Sequence, residues 1–230
     1  MINLKIGNKR LERLATYIPD GACVLDVGCD HAFLDIYLTL ENRGIVAIAS
    51  DIHEGPIEKA KENIRKYHLE DKIETRVGPG IETIDERVDT VVISGMGGRT
   101  IVGILKYQRP LLKKVERLIL SPNNYTEEVR KEVWKLGYFL EQEELIEDRH
   151  FIYPILVFRK GKKHYTKKEL YYGPILLRKR PVLFSKYLQK ELEQKQQLLQ
   201  VLPKKYWERR FQLRREVKSL QKILLSFDEK

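Results

Sequence analysis

The sequence predicts an α/β fold with a mostly parallel sheet, followed by a helical piece of different character. Three observations predict it. Short apolar runs alternate with amphipathic stretches along the first 137 residues, the pattern of strands crossing over through helices. Turn-forming Gly, Asp, Asn and Pro punctuate the ends of those runs. Cationic residues are concentrated at one end of the chain. Residues 1–157 hold 22 Lys and Arg against 26 Asp and Glu, whereas residues 158–230 hold 21 against 7. A general solubility effect would not divide the +10 net charge so unequally. The sequence therefore divides into a domain of residues 1–160 and a basic one of residues 161–230.

In chain order, Leu11, Leu14, Ala15 and Ile18 share one face of a helix over 7–18, which Pro19-Asp20-Gly21 ends. Residues 22–27 make the first strand, 31–41 a helix and 45–50 the second strand. Pro56 suits the first turn of the next helix. Strands follow at 72–77, 88–94 and 117–120, with a helix over 99–107 between the last two. Asn124 and Glu127 are spaced as a capping box for a helix that ends at Gly137. The segments 138–147 and 150–159 read as two antiparallel strands, giving seven in all.

The first strand-turn-helix, Val24 to Leu38, is the most informative stretch. A strand carrying Asp26 runs into Gly28, and about 25 residues later a second apolar run ends in Asp51. A carboxylate at a strand end, beside the glycine turn of an earlier strand, can accept from both hydroxyls of a ribose. A dinucleotide site needs three glycines around a pyrophosphate. Here the turn reads Gly28-Cys29-Asp30-His31-Ala32. Asp30 would repel pyrophosphate and favour a sulfonium or ammonium, so S-adenosylmethionine (SAM) fits better. Five strand-helix units and a terminal hairpin match the seven-stranded, Rossmann-like layout of class I SAM-dependent methyltransferases. In such a sheet the ligand lies beyond the carboxyl ends of the strands. The turns at 28–31, 51–53, 78–80, 95–98 and 121–124 all fall there.

The C-terminal piece reads as a helical hairpin or short coiled coil. Leu213, Val217, Leu220, Leu224 and Phe227 repeat at heptad spacing, and Phe184, Leu188, Leu192, Leu199 and Leu202 form a rougher stripe before them. Arg178, Lys179, Arg180, Lys204, Lys205, Arg209, Arg210, Arg214 and Arg215 are the candidate contacts to a phosphate backbone. Tyr206 and Trp207 suit either base stacking or the hairpin core.

The two cysteines, Cys23 and Cys29, are too few for a disulfide framework. No apolar run reaches the roughly 18–20 residues of a membrane span. A cytoplasmic protein without a metal is expected. A monomer is the simplest state, with dimerisation through the hairpin left open.

The stretches DVGCDHAFL (26–34), SD (50–51), SGMGG (94–98) and SPNN (121–124) resemble the bacterial tRNA (adenine-22-N1)-methyltransferase family, TrmK. The layout of a Rossmann-like domain with a C-terminal coiled coil resembles it as well. The resemblance implies SAM-dependent methylation of N1 of a tRNA adenine in the D-arm region, with tRNA as the partner. Within that reading, Asp26, Gly28, Cys29, Asp30, Asp51, Ile52, Gly78, Gly95 and Met96 are the candidate cofactor residues. Asp30 would offset charge on the methylated base, and His31 and Asn123 would position it. Each also has a plainer role: cofactor contact for Asp30, helix capping for His31, turn chemistry for Asn123. Other outcomes remain open: methylation elsewhere, as on a ribosomal RNA adenine; a non-catalytic RNA-binding protein; or a hairpin that pairs with another protein.

Overall fold

The computed structural model describes residues 8–41 and 43–228. Five parallel strands form its centre: β1 (Cys23–Val27), β2 (Val46–Asp51), β3 (Ile73–Val77), β4 (Thr90–Ser94) and β5 (Arg117–Ser121). An antiparallel pair, β6 (Tyr138–Asp148) and β7 (Phe151–Lys160), completes the sheet in the order β3-β2-β1-β4-β5-β7-β6. The strand order runs outward in opposite directions from β1 and β4, so a crevice opens over their carboxyl ends.

Both faces of the sheet are covered, which is why its central strands read as nearly unbroken apolar runs. Helices α1 (Lys9–Ala15), α2 (Phe33–Leu40) and α3 (Glu54–Lys66) pack on the face of Val24, Ala47, Ala49 and Val92. Helices α4 (Gly98–Tyr107) and α5 (Thr126–Lys135) pack on the face of Leu25, Val91, Ile93 and Leu118. Alternation along β1 thus puts Val24 and Asp26 on the α1–α3 side. Helix α1 is fixed by Arg13 and Tyr17, which both donate to the Glu144 carboxylate of β6 at 2.6 Å. The sequence starts this helix at residue 7, which lies outside the described residues; Asn8 caps it through its side-chain oxygen.

One local expectation is corrected. Asn124 does not cap α5, whose N-cap is Tyr125 in a left-handed conformation (φ +49°) with no side-chain bond. Its Oδ1 instead accepts the Gly98 amide at the start of α4. The cap serves the helix that needs a polar atom from outside, because Gly97 at its N-cap has no side chain.

The segment after residue 160 holds two short helices that the sequence did not suggest, α6 (Lys167–Tyr172) and α7 (Pro174–Lys179). The chain divides into compact units after Ile175, rather than at residue 160. Residues 161–175 are bonded into the sheet unit. Trp134 Nε1 donates to the Lys163 carbonyl, and the Tyr165 hydroxyl bonds to both backbone groups of Leu140. A buried Arg130–Glu143 pair at 2.5 Å takes the Tyr171 carbonyl and the Ile175 amide as further partners.

The second unit is a helical hairpin of α8 (Val182–Val201) and α9 (Trp207–Asp228). Phe184, Leu188 and Leu192 of α8 and Leu213, Leu220 and Ile223 of α9 are buried, while Val217, Leu224 and Phe227 are half-buried. Among the described residues no helix is long and apolar enough to cross a membrane.

Candidate active site

The tight turn after β1 begins the site. Gly28 has φ +75°, and its amide and that of Cys29 both donate to the Ser50 carbonyl of β2. A Cβ on Gly28 would lie 2.3 Å from the Met96 Cε, so this glycine lets the two strand-end turns approach each other. Asp30 (φ +52°) and Ala32 (φ +55°) are also left-handed, a local strain held by the packed elements around it. Helix α2 therefore starts at Phe33, with Ala32 at its N-cap and no side-chain cap, which removes capping as the role of His31.

Two cavities meet over these turns. One, of about 550 Å³, is polar and is lined by Asp26, Cys29, Asp30 and Gly95 among others. The other, of about 510 Å³, is mostly apolar and is lined by Ile52, Gly78, Pro79 and Ile104 among others. Gly28, Asp51 and Met96 line both. All nine residues expected to hold a cofactor are thereby brought to one trough. Asp51 sits at the junction, its Oδ1 accepting the His53 amide at 2.9 Å.

The three residues expected to act on the base separate. Asp30 lines the polar cavity with a largely exposed carboxylate, 3.4 Å from His31 Nε2. His31 lies outside the lining of both cavities, its ring tilted against Phe33. Asn123 also lies outside them, and its carboxamide is already engaged: Nδ2 donates to the Gly95 carbonyl at 2.6 Å, and Oδ1 accepts from Arg10 at 3.4 Å. Its visible work is to join the β4 and β5 turns.

Several groups in the polar cavity were not picked out from the sequence. Arg10 reaches it from α1, with its guanidinium 4.4 Å from the Tyr153 ring centroid. Burial lowers its pKa, and the Tyr153 and Asp148 charges oppose that shift. Arg149 arrives from the two-residue turn between β6 and β7, where it and His150 have φ +47° and +69°. Ser94 contributes a buried Oγ with no hydrogen-bond partner. The cavity is thus lined by two cations as well as by the carboxyl groups of Asp26, Asp30 and Asp51.

Asp26 has a hidden neighbour. Asp35, in the first turn of α2, is fully buried, and neither of its oxygens receives a bond from any other group. Burial pushes Asp26 up to about 7 and Asp35 well above its ordinary value, where the Asp26 charge adds to burial. Two carboxyls buried together cannot both ionise without a large cost, so the pair keeps a proton between them to a higher pH than either would alone. Burial also pushes the Cys29 thiol up, reinforced by Asp35, Asp26 and Asp51, so it is no nucleophile at neutral pH.

The expected phosphate contacts fall into two groups. Arg178, Lys179, Lys204, Lys205, Arg214 and Arg215 have exposed side chains. Arg180 is exposed but donates to the Ser226 carbonyl, Arg209 lies 3.6 Å from Glu216, and Arg210 bonds the Leu199 and Leu202 carbonyls at the end of α8. Arg180 and Arg210 thereby also hold the hairpin together, whereas Arg209 pairs within α9.

The family model for tRNA (adenine(22)-N(1))-methyltransferase matches residues 24–222. The chain belongs to this family. It is 35% identical over 205 residues to the Bacillus subtilis tRNA (adenine(22)-N(1))-methyltransferase, with 86% of each chain covered. The crystal structure of the Bacillus subtilis m1A22 tRNA methyltransferase TrmK superposes with a TM-score of 0.86 at 30% identity, covering 94% of this chain and 98% of that one. A Streptococcus pneumoniae protein solved in complex with S-adenosyl-L-methionine also has a TM-score of 0.86, at 34% identity and the same coverage. The expected fold, a seven-stranded Rossmann-like methyltransferase sheet with C-terminal helices, is the one observed, and the family assignment made from the sequence motifs holds.

Proposed function

We propose that this chain transfers the methyl group of SAM to N1 of adenine 22 in tRNA, with cofactor and base meeting over the strand-end trough. Membership of the family makes it a SAM-dependent tRNA (adenine-N1)-methyltransferase. The observation that carries the site assignment is the pair of cavities, one charged and one apolar, joined at Gly28, Asp51 and Met96.

These cavities suit a molecule that is zwitterionic at one end and a nucleoside at the other. Asp26 and Asp30 would take the ammonium side, and Arg10 and Arg149 the carboxylate. Asp51 would accept from the ribose hydroxyls, and the orphaned Ser94 Oγ would gain a partner. Ile52, Gly78 and Met96 would flank the adenine, and Gly95 and Cys29 would supply close backbone. When bound, SAM provides an electrophilic methyl on a positively charged sulfur.

The protein's remaining task is alignment. Adenine N1 carries an in-plane lone pair, so no side chain has to remove a proton before attack. The protein must hold N1 and the methyl carbon roughly 3–3.5 Å apart and in line. The methylated ring is cationic, and Asp30 at the cavity rim would offset that charge. N1 lies on the Watson–Crick edge, so the adenine must leave any pairing before it enters. The basic hairpin would grip the folded RNA through its phosphates, leaving base choice to the sheet unit. Such an enzyme works on tRNA in the cytoplasm.

The test is methyl transfer from labelled SAM to unmodified tRNA transcripts, followed by nucleoside analysis. N1-methyladenosine at position 22 is the expected product. Another methylated nucleoside would overturn the substrate assignment while leaving the cofactor site standing.

A further inference from the structure

The outward face of α9 carries a stripe that heptad reasoning does not account for. Trp207, Phe211, Arg214, Lys218 and Lys222 follow at spacings of 4, 3, 4 and 4, so a helix aligns them on one side. All five are exposed, Trp207 at 68% and Phe211 at 62%. The buried residues Leu213, Leu220 and Ile223 lie on the opposite side of the helix. The apolar demand of the hairpin is met there, and the two large rings take no part in it.

The tip that presents these rings is held firmly. Arg210 ties the start of α9 to the Leu199 and Leu202 carbonyls, and the Tyr206 amide donates to the Pro203 carbonyl. Cations lie against the aromatic groups: Lys205 Nζ is 5.2 Å from the Tyr206 ring centroid and Arg215 Cζ is 6.0 Å from that of Phe211.

We propose that Trp207 and Phe211 form a stacking platform for unpaired nucleobases of the tRNA, with Arg214, Lys218 and Lys222 continuing the contact along the phosphates. The proposal rests on the reading that the protein acts on tRNA, and adds which part of the RNA the hairpin reads. A flat ring held out by a helix is the surface on which a base stacks without regard to sequence. An RNA duplex shows its grooves and phosphates, whereas loops and bulges can splay their bases outward. The platform therefore selects single-stranded regions. Charge argues against a second copy of the chain as occupant. The five residues of the stripe include three cations and no acid; of the acids on α9, Glu216 is engaged by Lys195 and Arg209, and the exposed Glu208 beside Trp207 is outnumbered by the cations around it.

The test uses the full-length protein with Trp207→Ala, Phe211→Ala and the double variant, measuring tRNA affinity, SAM affinity and helicity. Each single variant is expected to weaken tRNA binding between about five- and a hundredfold, with SAM binding and helicity unchanged. The dependence of affinity on salt should keep its slope, because stacking releases no counterions, whereas Lys218→Ala should lower it. A single-stranded oligoribonucleotide should quench tryptophan emission more than a fully paired duplex does, and Trp207→Phe should remove that difference. Wild-type affinity in the folded double variant would overturn the platform, as would equal quenching by duplex and single strand. Concentration-dependent self-association that Trp207→Ala abolishes, with tRNA affinity intact, would reassign the face to a dimer contact. If the wild-type protein binds and methylates tRNA while the double variant matches it, only the platform fails. If the wild type does neither, the functional reading falls first.

Discussion

The sheet unit and the hairpin use polar chemistry in opposite ways. In the sheet unit the informative groups are withdrawn from water: Asp26 and Asp35 are buried together, and Ser94 keeps a buried hydroxyl without a partner. In the hairpin they are displayed, with Trp207, Phe211 and a row of cations facing solvent. Burial lets a protein tune protonation and fix orientation for a small ligand that it encloses. Exposure suits a large polyanion held by many weak, salt-sensitive contacts. The same chain thus holds a site that should respond to pH and a surface that should respond to salt.

The largest expected effect separates the two regions outright. Ending the chain after Ile175 removes 15 Lys and Arg against 6 Asp and Glu. Affinity for tRNA should then fall at least about a hundredfold, while calorimetry finds SAM binding intact. Full tRNA affinity in the shortened protein would show that the hairpin is not the RNA-holding part. Ending it after Lys160 should instead damage the sheet unit. The Arg130–Glu143 pair loses the Tyr171 carbonyl and the Ile175 amide, so the melting temperature drops by the equivalent of about 1–3 kcal/mol.

Asp51→Ala should act on the other side of the division, lowering SAM affinity roughly tenfold to a hundredfold through lost charged hydrogen bonds. Affinity for tRNA should not move. Unchanged calorimetric SAM binding would remove Asp51 from the site.

Asp35→Asn tests the pH response of the sheet unit. The folded-state pKa of Asp26 is raised to about 7 from an ordinary 3.8, chiefly by burial. Its contribution to stability is therefore fully present below pH 4 and is lost as pH rises towards 7. A neutral amide at position 35 leaves the burial of Asp26 in place but has no carboxyl of its own to ionise, so the part of the loss that came from the raised Asp35 disappears. The loss of stability between pH 4 and 8 should shrink, each recovered pKa unit being worth about 1.4 kcal/mol. In the parent protein, SAM affinity should rise with pH through 7, because a bound cation favours ionised Asp26. Identical melting-temperature profiles for parent and variant would refute the shared proton.

The smallest effect concerns Arg180, which joins the hairpin through the Ser226 carbonyl and the Phe227 ring. Arg180→Ala should cost about 0.5–1 kcal/mol of stability and change tRNA affinity by less than Arg214→Ala does. A larger loss of RNA binding than of stability would return Arg180 to the recognition surface.

The sheet was legible because each central strand is a short apolar run bounded by turn residues, and a strand-end carboxylate is visible wherever the strand is. Helices α6 and α7 were not, since six residues span under two turns and show little periodicity. Asn124 was assigned to the wrong helix because a capping side chain in a turn can serve either neighbour, and only the fold brings Gly98 to it. Arg10 and Arg149 stand 139 positions apart and look like ordinary surface cations until the β6–β7 turn meets α1. Asp35 stands in the first turn of α2, where an acid normally faces water; its depth is a property of the packed sheet. The exposure of Trp207 could have been read, since it stands out of phase with Leu213 and Leu220.

The turn that carries Arg149 has a further consequence. It is two residues long, left-handed at both, and flanked by the directly paired Asp148 and Phe151. Lengthening it by one residue would either break the ladder or turn one strand over, exchanging inward and outward side chains along its length. In this chain the turn can therefore exchange its side chains far more readily than it can alter its length.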